Sequence, residues 1–96
     1  MPLYLLGAVS IADEEKYRPY MDGAFASLVS YGIEVLAYGD PEMIEGQPPA
    51  ERMILLRASD EAAARAWYGS PEYQSVLPIR WAQAETAFFI SMAAVE

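Results

Sequence analysis

The chain has 96 residues and a net charge of −8, and it contains neither histidine nor cysteine. Its hydrophobic fraction of 54% is sufficient for a packed core, and the length fits one small domain over residues 1–96. Without imidazole or thiol groups, the chain cannot form Ser-His or Cys-His nucleophile pairs, disulfides or ordinary zinc sites. The acidic balance argues against a nucleic-acid-binding surface.

No stretch approaches the roughly 20 apolar residues that are needed to span a bilayer, so no membrane partner is expected. The apolar run near the N-terminus is short, lacks a preceding positive charge and is followed at once by acids. These features favour a strand over a signal peptide. We expect a cytoplasmic protein, and the lack of cysteine is compatible with that compartment.

The first third of the chain predicts a strand followed by a helix. Residues 2–12 are apolar on both faces of an extended segment, which indicates a central strand. Asp13 is a suitable N-cap, and apolar residues then recur at helical spacing. Pro19 removes one intrahelical hydrogen bond, so we expect a turn near residues 14–17 and a regular helix from about 18 to 31.

The middle of the chain predicts a loosened hairpin and a second buried strand. Residues 33–38 indicate a strand, a Gly-Asp-Pro turn follows, and residues 42–45 are expected to form a short second arm. Residues 47–50 then form a loop. The continuous apolar centre of residues 52–58 is typical of a buried strand.

The last third predicts a broken helix and a closing strand. Ser59 is expected to cap an alanine-rich helix that ends at Gly69, and Ser70 is expected to cap a second short helix. Pro78 ends or kinks that helix and leaves residues 79–84 as a further turn or a helical tail. Residues 86–95 are expected to form the last strand.

The resulting order, β-α-β-β-α-β, predicts an α+β, ferredoxin-like fold with a four-stranded antiparallel sheet and its helices on one face. The first and last strands are apolar on both sides, so the sheet face without helices is also apolar. An uncovered apolar face usually indicates a partner. We therefore expect a homodimer that packs sheet to sheet.

The segment ARAWYGSPEYQSVLPIR, residues 64–80, resembles the signature region of the domain of unknown function 1330 family. The resemblance extends over nearly the whole chain, from the opening strand to the last apolar strand. It implies a dimeric α/β barrel, in which two ferredoxin-like subunits place their sheets together and their helices outside. It implies no established activity, although related barrels include cofactor-free monooxygenases and lactone isomerases.

Aromatic and arginine side chains form the best candidate binding set, because small-ligand pockets are largely apolar with a few placed polar groups. The candidate ligand-binding residues are Tyr38, Trp67, Tyr73 and Arg80. Tyr17, Tyr20 and Tyr68 belong to the wider set. Core packing explains most of these aromatics equally well, since Tyr17 and Tyr20 have helical core spacing. Tyr73 and Arg80 are favoured because they flank the broken helix, where a cleft is expected.

No catalytic residue can be assigned from the sequence. Glu34, Glu42 and Glu45 lie on or beside the predicted hairpin, where one of them would serve as a general base if burial raised its pKa. A solvated strand face is the simpler interpretation of these charges. No segment has the ligand spacing of a calcium site, and haem lacks a histidine ligand, so neither a metal nor a cofactor is expected.

Two functions remain open. The chain is a cofactor-free enzyme of the isomerase or oxygenase type that acts on a small carbonyl or aromatic compound, or it is a non-catalytic ligand-binding or interaction module. The lack of histidine lowers the expectation of catalysis, but Asp, Glu and Tyr can still transfer protons.

Overall fold

The computed structural model describes residues 1–95. In that part of the chain the elements follow one another as β1 (Leu3–Ile11), α1 (Glu14–Ser30), β2 (Glu34–Gly39), β3 (Arg52–Ala58), α2 (Glu61–Tyr68), α3 (Pro71–Gln74), α4 (Leu77–Gln83) and β4 (Ala84–Ala93). The sheet order is β2-β3-β1-β4, and every neighbouring pair is antiparallel. The predicted β-α-β-β-α-β order and ferredoxin-like sheet are confirmed. The broken second helix consists of three short helices.

Helix α1 is a single helix, so the predicted break before residue 18 is wrong. The Asp13 side chain accepts hydrogen bonds from the backbone N–H groups of Glu15 and Lys16, as expected of an N-cap. Pro19 lies inside the helix on its exposed side. Only one intrahelical bond is lost there, and the carbonyl that loses it, on exposed Glu15, is accessible to water.

The predicted second arm at residues 42–45 is also wrong, because the chain between β2 and β3 contains no strand. Prolines at 41, 48 and 49 cannot donate ladder hydrogen bonds, and Gly46 has a φ of +89° that an extended strand does not allow. Ile44 is 96% exposed and Met43 is 40% exposed, so the apolar residues that suggested a strand are not buried in the subunit.

The caps of the broken helix are confirmed in part. Asp60, rather than Ser59, is the N-cap of α2, and its carboxylate accepts a hydrogen bond from the Ala63 N–H at 2.8 Å. The helix therefore starts one residue later than expected. Ser70 caps α3 as predicted, because its hydroxyl accepts from the Tyr73 N–H at 3.2 Å, and Pro71 occupies the first helical turn.

The two faces of the sheet differ in what covers them. Alternate strand residues such as Leu5, Leu56 and Phe89 pack with the helices in the hydrophobic core. The opposite residues, including Leu6 and its cross-strand partner Ile90, do not belong to that core. Ile90 is 45% exposed. We call this second surface the open face; its apolar character agrees with the sequence prediction.

Candidate functional site

The strongest polar cluster in the interior joins α1, α3 and α4. Its centre is Tyr73, which the Ser70 cap places on the inner side of α3, where its side chain is fully buried. The Tyr73 hydroxyl is 2.7 Å from the Tyr20 hydroxyl, and it accepts a hydrogen bond from Arg80 Nη1 at 2.9 Å. We call these three residues the polar chain. Two of its members, Tyr73 and Arg80, are the residues that the sequence favoured.

Arg80 is the one charged residue that is buried among residues 1–95, with 6% of its surface exposed. None of the ion pairs in the described chain involves it, because Arg52, Arg57 and Arg65 make those pairs. The guanidinium lies 5.9 Å from the ring centre of Tyr20 and 5.7 Å from that of Phe89. Its Nε is buried without a hydrogen-bond partner. The cation is thus held by phenols and ring faces, with no carboxylate beside it.

Tyr73 and Arg80 both keep their ordinary neutral-pH charge. Burial alone lowers the pKa of the Arg80 guanidinium, but the phenols of Tyr73 and Tyr20 outweigh that effect and the pKa is raised. Burial raises the pKa of the Tyr73 phenol well above its usual range, and the same cause acts on Tyr17. Tyr73 is therefore a neutral hydrogen-bonding group, and Arg80 is a permanent cation.

Trp67 packs directly against the polar chain. Its ring centre is 4.3 Å from that of Tyr73, and its indole N–H donates to Ser27 Oγ at 2.9 Å. The Ser27 hydroxyl in turn donates to the carbonyl oxygen of Ala24 at 2.7 Å. Sequence reasoning did not identify Ser27, since its contact with Trp67 joins residues 40 positions apart. The indole is held rigidly by these bonds.

An open cavity of about 460 Å³ lies between α2 and the sheet. Its aromatic lining consists of Trp67, Tyr68 and Phe89, and Leu5 and Ser91 contribute from the strands. Tyr73 and Arg80 do not line it. Tyr68 lies 5.4 Å from the Tyr73 ring, and its own ring is 6.2 Å from that of Phe89. One layer of aromatic rings therefore separates the cavity from the polar chain.

A β-bulge at Ala87 shapes the same region of the sheet. Val9 pairs with Thr86 and Ala8 with Phe88, so Ala87 is an extra residue in β4. Because of that extra residue, Thr86 faces the same side of the sheet as Phe89, which is the side of the helices. Thr86 Oγ1 is buried and has no hydrogen-bond partner. No sequence pattern predicts a special role for Thr86.

Tyr38 lies apart from the other three candidate residues. Its ring packs edge-on against Phe25 at 5.7 Å, and its hydroxyl accepts a hydrogen bond from Arg52 Nη1 at 3.1 Å. Arg52 also pairs with Glu14 at 2.6 Å and Asp40 at 3.2 Å, and these bonds raise its pKa above the ordinary value. Tyr38 borders a second cavity, of about 340 Å³, with Leu6 and Met53 in its lining.

The carboxylates that were considered as general bases are all exposed. Glu34 pairs with Arg57 at 3.4 Å, while Glu42 and Glu45 lie in the loop between β2 and β3. Glu61 is the carboxylate that borders the cavity beside Trp67, and it pairs with Arg65 at 2.8 Å. Within the described chain, no three acidic side chains gather closely enough to hold a metal ion. No helix of residues 1–95 has the length and apolar character needed to cross a membrane.

Solved structures with the same fold include RPA0582, a protein of unknown function from Rhodopseudomonas palustris, with a TM-score of 0.81 at 16% identity over 99% of this chain and 83% of that one. A dimeric ferredoxin-like protein of unknown function from Jannaschia sp. CCS1 has a TM-score of 0.74 at 18% identity, over 98% of this chain and 100% of that one. SnoaB, a cofactor-independent oxygenase from Streptomyces nogalater, has a TM-score of 0.72 at 7% identity, over 99% of this chain and 94% of that one. At these identities the likenesses establish the ferredoxin-like fold alone.

The sequence itself supplies the family. No curated protein matches it. The model of a family described as Domain of unknown function (DUF1330) matches residues 2–94, which is nearly the whole chain. The resemblance carried by residues 64–80 is thereby confirmed, and the protein belongs to the DUF1330 family.

Proposed function

We propose that the protein is a homodimeric α/β barrel that binds a small aromatic or carbonyl compound in the cavity between α2 and the sheet, and converts it without a cofactor. The observation that carries the proposal is the position of the polar chain. A guanidinium and two phenols are buried directly behind the aromatic wall of a cavity that opens to solvent.

The cavity has the size and lining of a small-ligand site. Its volume of about 460 Å³ falls within the usual range of roughly 300–1,000 Å³ for such sites. The ring of Tyr68, which is 37% exposed, offers a face for stacking, and the buried Trp67 beside it is fixed by its bond to Ser27. A rigid aromatic wall favours a flat, partly apolar ligand.

The polar groups near the cavity are phenols, a guanidinium and a carboxylate, and the chain has no histidine or cysteine. A cation held in a dry interior stabilises negative charge that develops on a carbonyl oxygen, as in an enolate. Neutral Tyr73 would add a hydrogen bond to the same oxygen once the Tyr68 ring turned toward solvent and joined the cavity to the polar chain. This arrangement suits isomerisation or reaction of an enolate-like substrate with oxygen, and SnoaB is an oxygenase of this fold that works without a cofactor.

A non-catalytic binding module is the second candidate. The observation in its favour is that Glu61, the carboxylate at the cavity, lies at the exposed rim and is paired with Arg65. In the described chain no buried carboxylate lies beside the polar chain to remove a proton. The cytoplasmic location expected from the sequence stays a prediction under either function.

The homodimer follows from the open face. Leu6, Leu55 and Ile90 are neighbours across three strands there and lie outside the hydrophobic core; Ile90 is exposed, while Leu6 and Leu55 are half-buried. Large exposed apolar patches usually belong to interfaces. A second copy would cover this face and leave the helices outside, and the Jannaschia protein of the same fold is described as dimeric.

Light scattering at micromolar concentration tests the dimer. The wild type should be a dimer, and Ile90→Glu should weaken or abolish it because a charge would be buried between the sheets. Val29→Glu is the matched control, since Val29 is 81% exposed on α1. A wild-type monomer, or dissociation by the control variant alone, would contradict the proposed interface.

Ligand binding is tested first, and turnover of the bound compounds is tested afterwards. A thermal-shift screen with aromatic and carbonyl compounds should find ligands that raise the melting temperature. Ser91→Trp, which fills the cavity, should abolish that shift, while Ala82→Trp on the exposed side of α4 should not. Each stabilising compound is then followed by proton NMR and oxygen consumption. Conversion supports the enzyme; binding without conversion supports the non-catalytic module.

A further inference from the structure

We propose that Arg80 and Thr86 form an anion subsite behind the aromatic wall of the cavity, so that the ligand is an aromatic or carbonyl compound bearing a carboxylate. This inference rests on the proposed function, because the ring of the ligand would occupy the cavity beside Trp67. The inference specifies that the ligand is negatively charged and that Arg80 and Thr86 recognise this charge.

The buried Arg80 guanidinium has no counter-ion in the described chain. A buried charge is costly unless it is paired, and proteins normally supply a carboxylate to a buried arginine. This chain has 14 acidic residues, yet none of the ion pairs in its described part reaches Arg80. Arg80 Nη1 is bonded to a neutral phenol and its Nε to nothing. A ligand carboxylate would supply the missing charge.

Among residues 1–95, two buried side-chain atoms lack a hydrogen-bond partner, and both lie on the helix side of the sheet. They are Arg80 Nε and Thr86 Oγ1. Thr86 reaches that side because of the bulge at Ala87, and bulges often re-aim side chains beside functional sites. An N–H and a hydroxyl both donate hydrogen bonds, as a carboxylate requires.

A ligand in the cavity is close to the proposed subsite. Phe89 lines the cavity, and the Arg80 guanidinium lies 5.7 Å from the centre of its ring. Tyr68 lines the same cavity, contacts the Tyr73 ring, and is 37% exposed. The separation is a single aromatic layer with an exposed member. Rotation of the Tyr68 side chain toward solvent would join the cavity to the subsite.

The test compares benzoate with benzamide, which has nearly the same shape and no charge, at constant ionic strength. Binding is followed by tryptophan fluorescence in a Trp81→Phe background, where Trp67 is the remaining indole. Trp81 is 63% exposed, so this background should fold normally. Benzoate should bind roughly ten- to a hundredfold more tightly than benzamide, as expected of hydrogen bonds to a charged group.

Three variants locate that preference. Arg80→Lys keeps the charge and should retain a preference for benzoate. Arg80→Met should lose it, because the cation that pairs with the carboxylate is then absent. Thr86→Val should weaken benzoate binding several-fold and leave benzamide binding unchanged.

The outcomes separate this inference from the proposed function. Equal binding of benzoate and benzamide, or a preference that survives in Arg80→Met, overturns the anion subsite and leaves the cavity as the binding site. Binding of neither probe, or a rise in melting temperature with benzoate that Ser91→Trp leaves intact, counts against the cavity as well.

Discussion

The hydrogen bonds around Tyr73 make a quantitative prediction about stability. Its hydroxyl is completely buried and contacts both the Tyr20 hydroxyl and Arg80 Nη1. Tyr73→Phe removes this shared oxygen and leaves a phenol and a charged donor without a partner. Since a buried group that loses its partner costs about 1–3 kcal/mol, and a charged one more, the variant should lose about 3–4 kcal/mol of unfolding free energy.

Tyr20→Phe is the matched control, because it removes one bond from the other end of the pair. The Tyr73 hydroxyl still accepts from Arg80 in this variant, so the expected loss is only about 1 kcal/mol. The double variant should lose little more than Tyr73→Phe alone, since the orphaned Tyr20 hydroxyl is then also absent. The two substitutions should therefore be strongly non-additive.

Urea denaturation of the four proteins at one fixed protein concentration measures these costs, and the fixed concentration keeps any dimer contribution constant. The reasoning would be refuted by equal losses in the two single variants. Additive losses in the double variant would refute it too, since they would mean that the two hydroxyls do not share a bond.

Three further predictions concern the same interior. Gly23→Ala should lose about 1–3 kcal/mol despite the better helix propensity of alanine, because the added methyl would lie 2.5 Å from Val76 Cγ1; thermal unfolding that shows stabilisation contradicts this packing. Ser27→Ala should cost about 1–3 kcal/mol in urea, because the indole N–H of the neighbouring tryptophan loses its acceptor; an unchanged midpoint argues against that bond. The folded-state pKa values of Tyr17 and Tyr73 are raised, so both phenols should stay protonated in an ultraviolet titration up to about pH 11. Their contribution to stability should be complete below about pH 10 and should be lost as the pH rises further. Full ionisation of all seven tyrosines in the folded protein at about pH 11 would contradict the burial of these two.

The sequence predicted those parts of the fold that depend on local patterns. Asp13 and Ser70 were identified as caps because an N-cap needs only its own side chain and the next few N–H groups. The loop between β2 and β3 was misassigned because the apolar pair at residues 43 and 44 resembles a strand, while the prolines and Gly46 exclude one. Pro19 was given too much weight, since a single exposed proline removes one bond and the packing of α1 outweighs that loss.

The candidate site was predicted only where it adjoins a local feature. Tyr73 and Arg80 were favoured because they flank the broken helix, and the structure brings them into direct contact. Ser27 and Thr86 were missed because their roles depend on contacts with distant segments and on a bulge, neither of which leaves a periodic signal. Tyr38 was included on residue type alone, and the sheet places it beside Arg52 instead of the polar chain.

The position of a bound aromatic acid tests the central claim most directly. In crystals grown with 4-bromobenzoate, anomalous scattering should place the bromine in the cavity between α2 and the sheet, beside Trp67 and Tyr68. The carboxylate should contact Arg80 Nε. A bromine on the open face, or in the second cavity beside Tyr38 and Met53, would contradict both the assigned site and the role of the buried cation.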